Sequence, residues 1–168
     1  MSATRSLYIR YAAAAGQLYI SVDGHATHQA SMAADRVVGG FLETNPPQPA
    51  IILDLEGCTW VDSTFAGWMF RLRQRLVAVA GHLVLSRCPE ACRSSFDVMG
   101  LTSLFSFQAV TPPPELQRLA CPQDEVDAET IQFMLDAHAG LAEVSPANAE
   151  VFGRIADQLR RELERRKD

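Results

Sequence analysis

Three short polar side chains, Asp62, Ser63 and Thr64, stand directly before an apolar-striped segment. Each can place a side-chain oxygen on the free N–H groups that open a helix. Their first chemistry is therefore capping. Asp54 and Glu56 flank Leu55, and strand alternation sets both carboxylates on one face, as in paired acids for proton transfer. No serine–histidine–acid set accompanies them, and neither a Gly-x-Gly-x-x-Gly run nor a phosphate-binding glycine loop is present. A polar strand end is the expected role. His25 and His28 sit close together without further ligands nearby, so they read as solvated histidines rather than a metal site. Cys88 and Cys92 would lie one helical turn apart, but no Cys-x-x-Cys or histidine pair completes a site. With Cys58 and Cys121 they read as reduced, half-buried thiols. His82 and His138 fall at core edges. No metal and no cofactor are expected.

The elements that position these groups follow from spacing. Leu7–Tyr11 and Gln17–Asp23 are β-prone, the second with clear alternation, and Gly16 turns between them while Gly24 ends the pair. Ala30, Ala33, Ala34, Val37, Val38 and Phe41 mark a helix that Pro46, Pro47 and Pro49 stop. Ala50–Leu55 suits a central strand covered on both faces. Phe65, Met69, Leu72, Leu76 and Val79 stripe a second helix, with Arg71, Arg73 and Arg75 on its solvated side and Gly81 closing it. His82–Ser86 is a strand, Pro89 opens a third helix running to Met99, and Phe105–Val110 is a last strand. Strands alternating with helices predict an α/β fold with a mixed, largely parallel sheet and right-handed crossovers.

Beyond Pro112-Pro113-Pro114 the reading changes. Glu115–Ala120 is expected to be a short helix. Asp127 caps a stretch striped by Ile131, Met134, Leu135, His138 and Leu141. Ser145-Pro146 restarts a helix striped by Phe152, Ile155, Leu159 and Leu163. These two predict a C-terminal helical hairpin. Domain 1–111 is thus followed by a helical extension, 112–168. The hairpin's stripe needs cover, and the expected sites are the sheet or the same segment of a second copy, giving a homo-oligomer.

Composition excludes some classes. The net charge is −5, which argues against nucleic acid, because phosphate binding wants a basic face. No apolar run approaches the roughly 20 residues a bilayer requires, so no membrane insertion is expected. The first ten residues lack a signal-peptide layout, and the chain reads as cytoplasmic.

Ile51 to Thr64, with Val61-Asp62-Ser63-Thr64 at its end, resembles the central strand and switch loop of STAS domains, the fold of bacterial anti-sigma-factor antagonists. Gly81–Leu85 and then Val98–Phe105, with its Gly-Leu-x-x-Leu-Phe run, resemble the next strand and the segment that closes that domain. The resemblance covers Ser6 to Val110. It implies that Ser63 is phosphorylated by a cognate kinase-type anti-sigma factor, that the unmodified chain binds this partner, and that the phosphate weakens the complex. A phosphate adds about −1.5 to −2 charge, and a helix N-terminus tolerates it. The implied contact surface comprises Asp23, Gly24, Trp60, Asp62, Ser63, Thr64 and Phe65, with His25 nearby. The chain would be a kinase substrate and not an enzyme. The family usually has glycine then leucine after the two hydroxyl residues, whereas this sequence has Phe65-Ala66-Gly67. Phe65 is expected either to turn into the core with Met69 and Leu72 or to cover Ser63 in part. STAS domains also serve as docking subunits of transporters and as ligand-sensing modules, and both remain alternatives. A small-molecule binder or hydrolase at Asp54 and Glu56 is a third.

Overall fold

Ala15 and Gly16 turn the chain back with positive φ at both, 49° and 77°, the two-residue loop whose twist matches paired strands. The result is an antiparallel hairpin of β1 (Tyr8–Ala14) and β2 (Gln17–Ala26), in register from Tyr8↔Asp23 to Ala14↔Gln17. The computed structural model describes residues 6–121 and 125–167. After β2 come α1 (His28–Glu43), β3 (Ala50–Asp54), β4 (Cys58–Val61), α2 (Ser63–Ala78), β5 (His82–Ser86) and α3 (Glu90–Val98). A 3-10 turn over Thr102–Leu104 leads to β6 (Ser106–Gln108), β7 (Gln117–Leu119), α4 (Ala128–Ala142) and α5 (Pro146–Arg165).

The main sheet runs β6-β5-β3-β2-β1-β7, and β4 pairs with β2 off that path. Strands β2, β3, β5 and β6 are mutually parallel, while β1 and β7 are antiparallel to their neighbours. The expected mixed, largely parallel α/β sheet is therefore present. On one face Leu18, Ile20, Ile51, Leu53, Leu83 and Leu85 pack against the helices through Ala33, Val38, Phe65, Met69, Leu72 and Phe96. On the other face Tyr19, Ile52 and Val84 meet Val110 and Leu116. Strands β6 and β7 lie at opposite edges, so the chain between them crosses that second face and covers it.

Several expectations need correction. Gly24 does not end β2. At φ 93° it bends the strand, and the register shifts between Gly24 and His25 as β2 leaves β3 for β4. Cys58–Val61, which has no strand pattern in the sequence, forms β4 against β2. Glu115–Ala120 is not helical. Its middle pairs with β1, Leu119 opposite Ile9, so the backbone hydrogen bonds come from a distant edge and not from a local turn. The last strand is shorter, 106–108. Pro89 is the N-cap of α3, leaving Cys88 outside the helix. The left-handed residue after α2 is Ala80, φ 55°. Gly81 is needed because a Cβ there would press on the Pro49 carbonyl.

The hairpin forms as expected. Asp127 accepts from Thr130 N, Ser145 accepts from Asn148 N, and Pro146 opens α5. Its location differs. Helix α4 packs across α2 and α1, and α5 packs on α4, so the hairpin covers the helical layer and not the sheet. Leu141 and Phe152 join the main core, while Ile131, Leu135, Ala156 and Leu163 make a small core inside the hairpin.

Candidate functional site

The site begins where β4 meets α2. Asp62 N–H donates to the Ala26 carbonyl at 3.0 Å, tying the loop to the end of β2. Asp62 Oδ1 accepts from Phe65 N at 2.7 Å and so caps α2, as its residue type predicts. Burial pushes the Asp62 carboxyl up from its ordinary range, while the Phe65 N–H and nearby His28 and His138 act the other way.

Ser63 is the first residue of α2. Its Oγ lies 2.9 Å from His138 Nε2, across 75 residues of sequence. His138 Nδ1 lies 2.7 Å from the Met134 carbonyl. A carbonyl only accepts, so Nδ1 carries the hydrogen, and in the neutral ring Nε2 accepts from the serine hydroxyl. His138 is buried, 3% exposed, with the Phe152 ring centred 6.1 Å away. Burial pushes its pKa down, which favours that neutral form. A serine hydroxyl on an imidazole resembles an activated nucleophile. Here, however, a backbone carbonyl takes the place of the acid behind the histidine, and the bond fastens one helix to another.

Neighbouring residues explain the fit. Any Cβ at Gly67 would overlap the Ala137 carbonyl of α4, and one at Gly140 would come within 3.0 Å of Arg71 Cγ. The two helices therefore touch through backbone. Phe65 is fully buried with its ring 5.3 Å from Trp68, so it takes the core position and leaves Ser63 to His138. Thr64 is buried too. The side chains of Thr64 and Phe65, expected at a partner surface, are core instead, because the first turn of α2 is sealed on both sides.

The other surface residues divide. Trp60 is 48% exposed, with His25 edge-on at 5.8 Å; together they form an open aromatic patch. Asp23 instead pairs with Arg10 at 3.2 Å and lies over Gly57, where a Cβ would collide with its carboxylate. Gly24 N–H donates to the Gly57 carbonyl at 2.9 Å. Asp23 and Gly24 thus shape the β2–β4 crossing. His28 opens α1.

Asp54 and Glu56 do meet, on one arginine. Buried Asp54 accepts from Tyr19 Oη at 2.7 Å and from the Arg87 guanidinium, which also pairs with exposed Glu56. Burial, and then Asp54, push the Tyr19 hydroxyl up to about 12. This is a neutralised strand end, as expected, with Asp54 sealed from solvent. Among the described residues no group of three or more His, Cys, Asp or Glu side chains is placed to hold a metal. The Cys92 thiol lies against the Cys58 carbonyl at 3.7 Å. The Cys58–Cys92 contact lowers the Cys58 pKa and raises that of Cys92. Burial pushes Cys88 up to about 11. Of the basic cluster, Arg75 pairs with Asp35 at 2.9 Å, and Arg71 donates to the Asp136 carbonyl of α4 at 3.2 Å.

Sequence reasoning missed the pairing of Ser63 with His138. The available signal was a histidine on an otherwise apolar stripe, whose ring needs a partner once buried.

Comparison with known proteins adds the following. The family model described as STAS domain matches residues 9–112, which ends short of the hairpin. Three solved structures share the fold. The anti-sigma factor antagonist SpoIIAA in its unphosphorylated form has a TM-score of 0.53 at 20% identity, over 62% of this chain and 88% of that one. An anti-sigma factor antagonist from Mycobacterium paratuberculosis has a TM-score of 0.52 at 21% identity, over 66% and 92%. The Bacillus cell fate determinant SpoIIAA in its phosphorylated form has a TM-score of 0.50 at 19% identity, over 62% and 91%. No curated protein matches the sequence. Among the described residues no helix is long and apolar enough to cross a membrane.

Proposed function

Because this chain belongs to the STAS domain family, we propose that it is a cytoplasmic partner-switching regulator that binds a kinase-type anti-sigma factor and is controlled at Ser63. It acts by binding and not by catalysis. The observation that carries this reading is the position of Ser63: first residue of α2, beside the Asp62 cap, where the loop from β4 ends. The neighbouring Trp60 and His25 supply exposed aromatic surface for a protein partner. Solved proteins of this fold are described as anti-sigma factor antagonists, one of them in unphosphorylated and phosphorylated forms. The kinase would transfer the γ-phosphoryl group of ATP to Ser63 Oγ, with loss of the hydroxyl proton and release of ADP. The added charge would sit beside the half-buried Asp62 carboxyl and weaken the complex.

Peptide mass mapping of the protein from its native cells tests this, together with identification of what co-purifies. Phosphate on Ser63 and a kinase-like ATPase with a sigma factor are the expected results. A second reading, constitutive docking on a transporter ATPase, is favoured by the engagement of the Ser63 hydroxyl with His138. It predicts an unmodified Ser63 in growth and stress alike and a transporter ATPase in the complex.

A further inference from the structure

We propose that the α4–α5 hairpin is an internal occupant of the partner face: while docked it withholds Ser63 and the first turns of α2, and it must lift off before another protein can reach them. The proposal rests on reading the start of α2 as the contact face. Three features of the interface support it.

The hairpin covers the very residues in question. Ser63 donates into the buried His138 ring, and Gly67, one turn on, lies against the Ala137 backbone. A partner that needs either residue has to displace α4.

The hairpin can also leave intact. Ile131, Leu135, Leu159, Ala156 and Leu163 form a core of its own, separate from the main one, so α4 and α5 stay joined when they move. The face left behind keeps its polar pairs. Trp68 Nε1 and Arg75 both donate to Asp35 of α1, without help from α4. Bonds that span the junction include Ser63 to His138, Arg71 to the Asp136 carbonyl, and Asn148 Nδ2 to the Met99 carbonyl at 2.9 Å. Two of the three use a backbone carbonyl that water can satisfy on opening.

The junction closes on backbone at Gly67 and through Leu141 and Phe152, and it is open at its edge. A cleft of about 170 Å³ opens between α1, α2 and α4, lined by Asp35, Trp68, Arg71, Arg75, Phe133 and Asp136. Water reaches the edge of the junction there, so opening of α4 can begin at that edge while the sheet stays closed.

Amide hydrogen exchange on the full chain at neutral pH is the first test. Helix α4 amides are expected to exchange at least about tenfold faster than those of β3, through opening that leaves the sheet closed. Gly67→Ala should speed α4 further without changing β3, because the added methyl meets Ala137 while alanine suits the α2 helix better than glycine. A second measurement follows Ser63→Cys by maleimide labelling, mapped by peptide mass. Labelling should be slow, and at least about tenfold faster when Gly67→Ala is added. If α4 and β3 exchange together and Gly67→Ala weakens both, the hairpin is an inseparable layer and the proposal fails. Labelling of Ser63→Cys at the rate of a free thiol would overturn it as well. Neither measurement uses a kinase or partner, so an unmodified Ser63 in cells would sink the phosphoswitch without touching this result.

Discussion

At the scale of single residues, His138 governs the site because it has exchanged water for Ser63, the Met134 carbonyl and the Phe152 ring. Its pKa is depressed by burial below the ordinary value of about 6.5. The unfolded chain then binds more protons in the window between the two values, so stability rises with pH across it. The contribution is present above about pH 6.5 and lost as pH falls through the folded value. Asp62 faces the same space, with His28 beside it, and its raised pKa acts in the opposite sense, costing stability as pH rises. His138→Gln keeps Asp62 and isolates the histidine. Urea midpoints at about pH 7.5 and 5.5 should show the parent losing more on acidification than His138→Gln; equal losses would mean that His138 is not held neutral. Asp62 itself divides into cap and charge. Asp62→Ala should cost about 1 kcal/mol in thermal unfolding, and Asp62→Asn distinctly less, since asparagine caps as well and brings no charge to a half-buried position.

Among elements, β2 does the most to place the site, and it does so by changing partner at Gly24. Its first half belongs to the β3 ladder and its second to β4, which carries Trp60 toward the start of α2. The sequence shows the elements that are long enough to repeat a pattern. Helices α1, α2, α4 and α5 follow from three-and-four spacing, and the caps Asp62, Asp127 and Ser145 follow from residue type. Strands β4 and β7 have four and three residues, too few to display alternation, and their hydrogen bonds come from distant strands. Likewise Ser63 is legible as a cap-adjacent hydroxyl, whereas His138 meets it only because α4 crosses α2, a consequence of Gly67 and Gly140 permitting close approach. Tyr19, near the start of β2, and Asp54, at the end of β3, meet in a network with Arg87. Arg87→Ala would leave the Asp54 carboxylate buried with Tyr19 alone. With Arg87 partly open to water, the expected loss is about 2–3 kcal/mol in urea unfolding, and a loss below about 0.5 kcal/mol would show that water replaces the guanidinium.

For the molecule as a whole, the question is what the fourth layer does for the other three. The sheet has helices on one face and the 110–116 segment on the other, and that arrangement already buries most of the β surface. The hairpin then covers helices, which in a domain of this size would ordinarily face water. Leu141 and Phe152 enter the main core from it, each burial stabilising by roughly 1.5–3 kcal/mol. The apolar stripe that suggested a homo-oligomer is therefore satisfied within one chain. The 168-residue chain should scatter light as a monomer of 18.5 kDa, helped by the mutual repulsion of its −5 charge. Deleting residues 122–168 should reverse this. It uncovers the α2 flank around Gly67, Trp68 and Phe70, now buried, and an exposed apolar strip is a surface that self-associates. The truncated chain is expected to run as a dimer or larger, and to unfold at lower temperature. If it stays monomeric and equally stable, the helical face of the first three layers needs no cover, and the hairpin's contacts with α2 contribute nothing measurable to the fold.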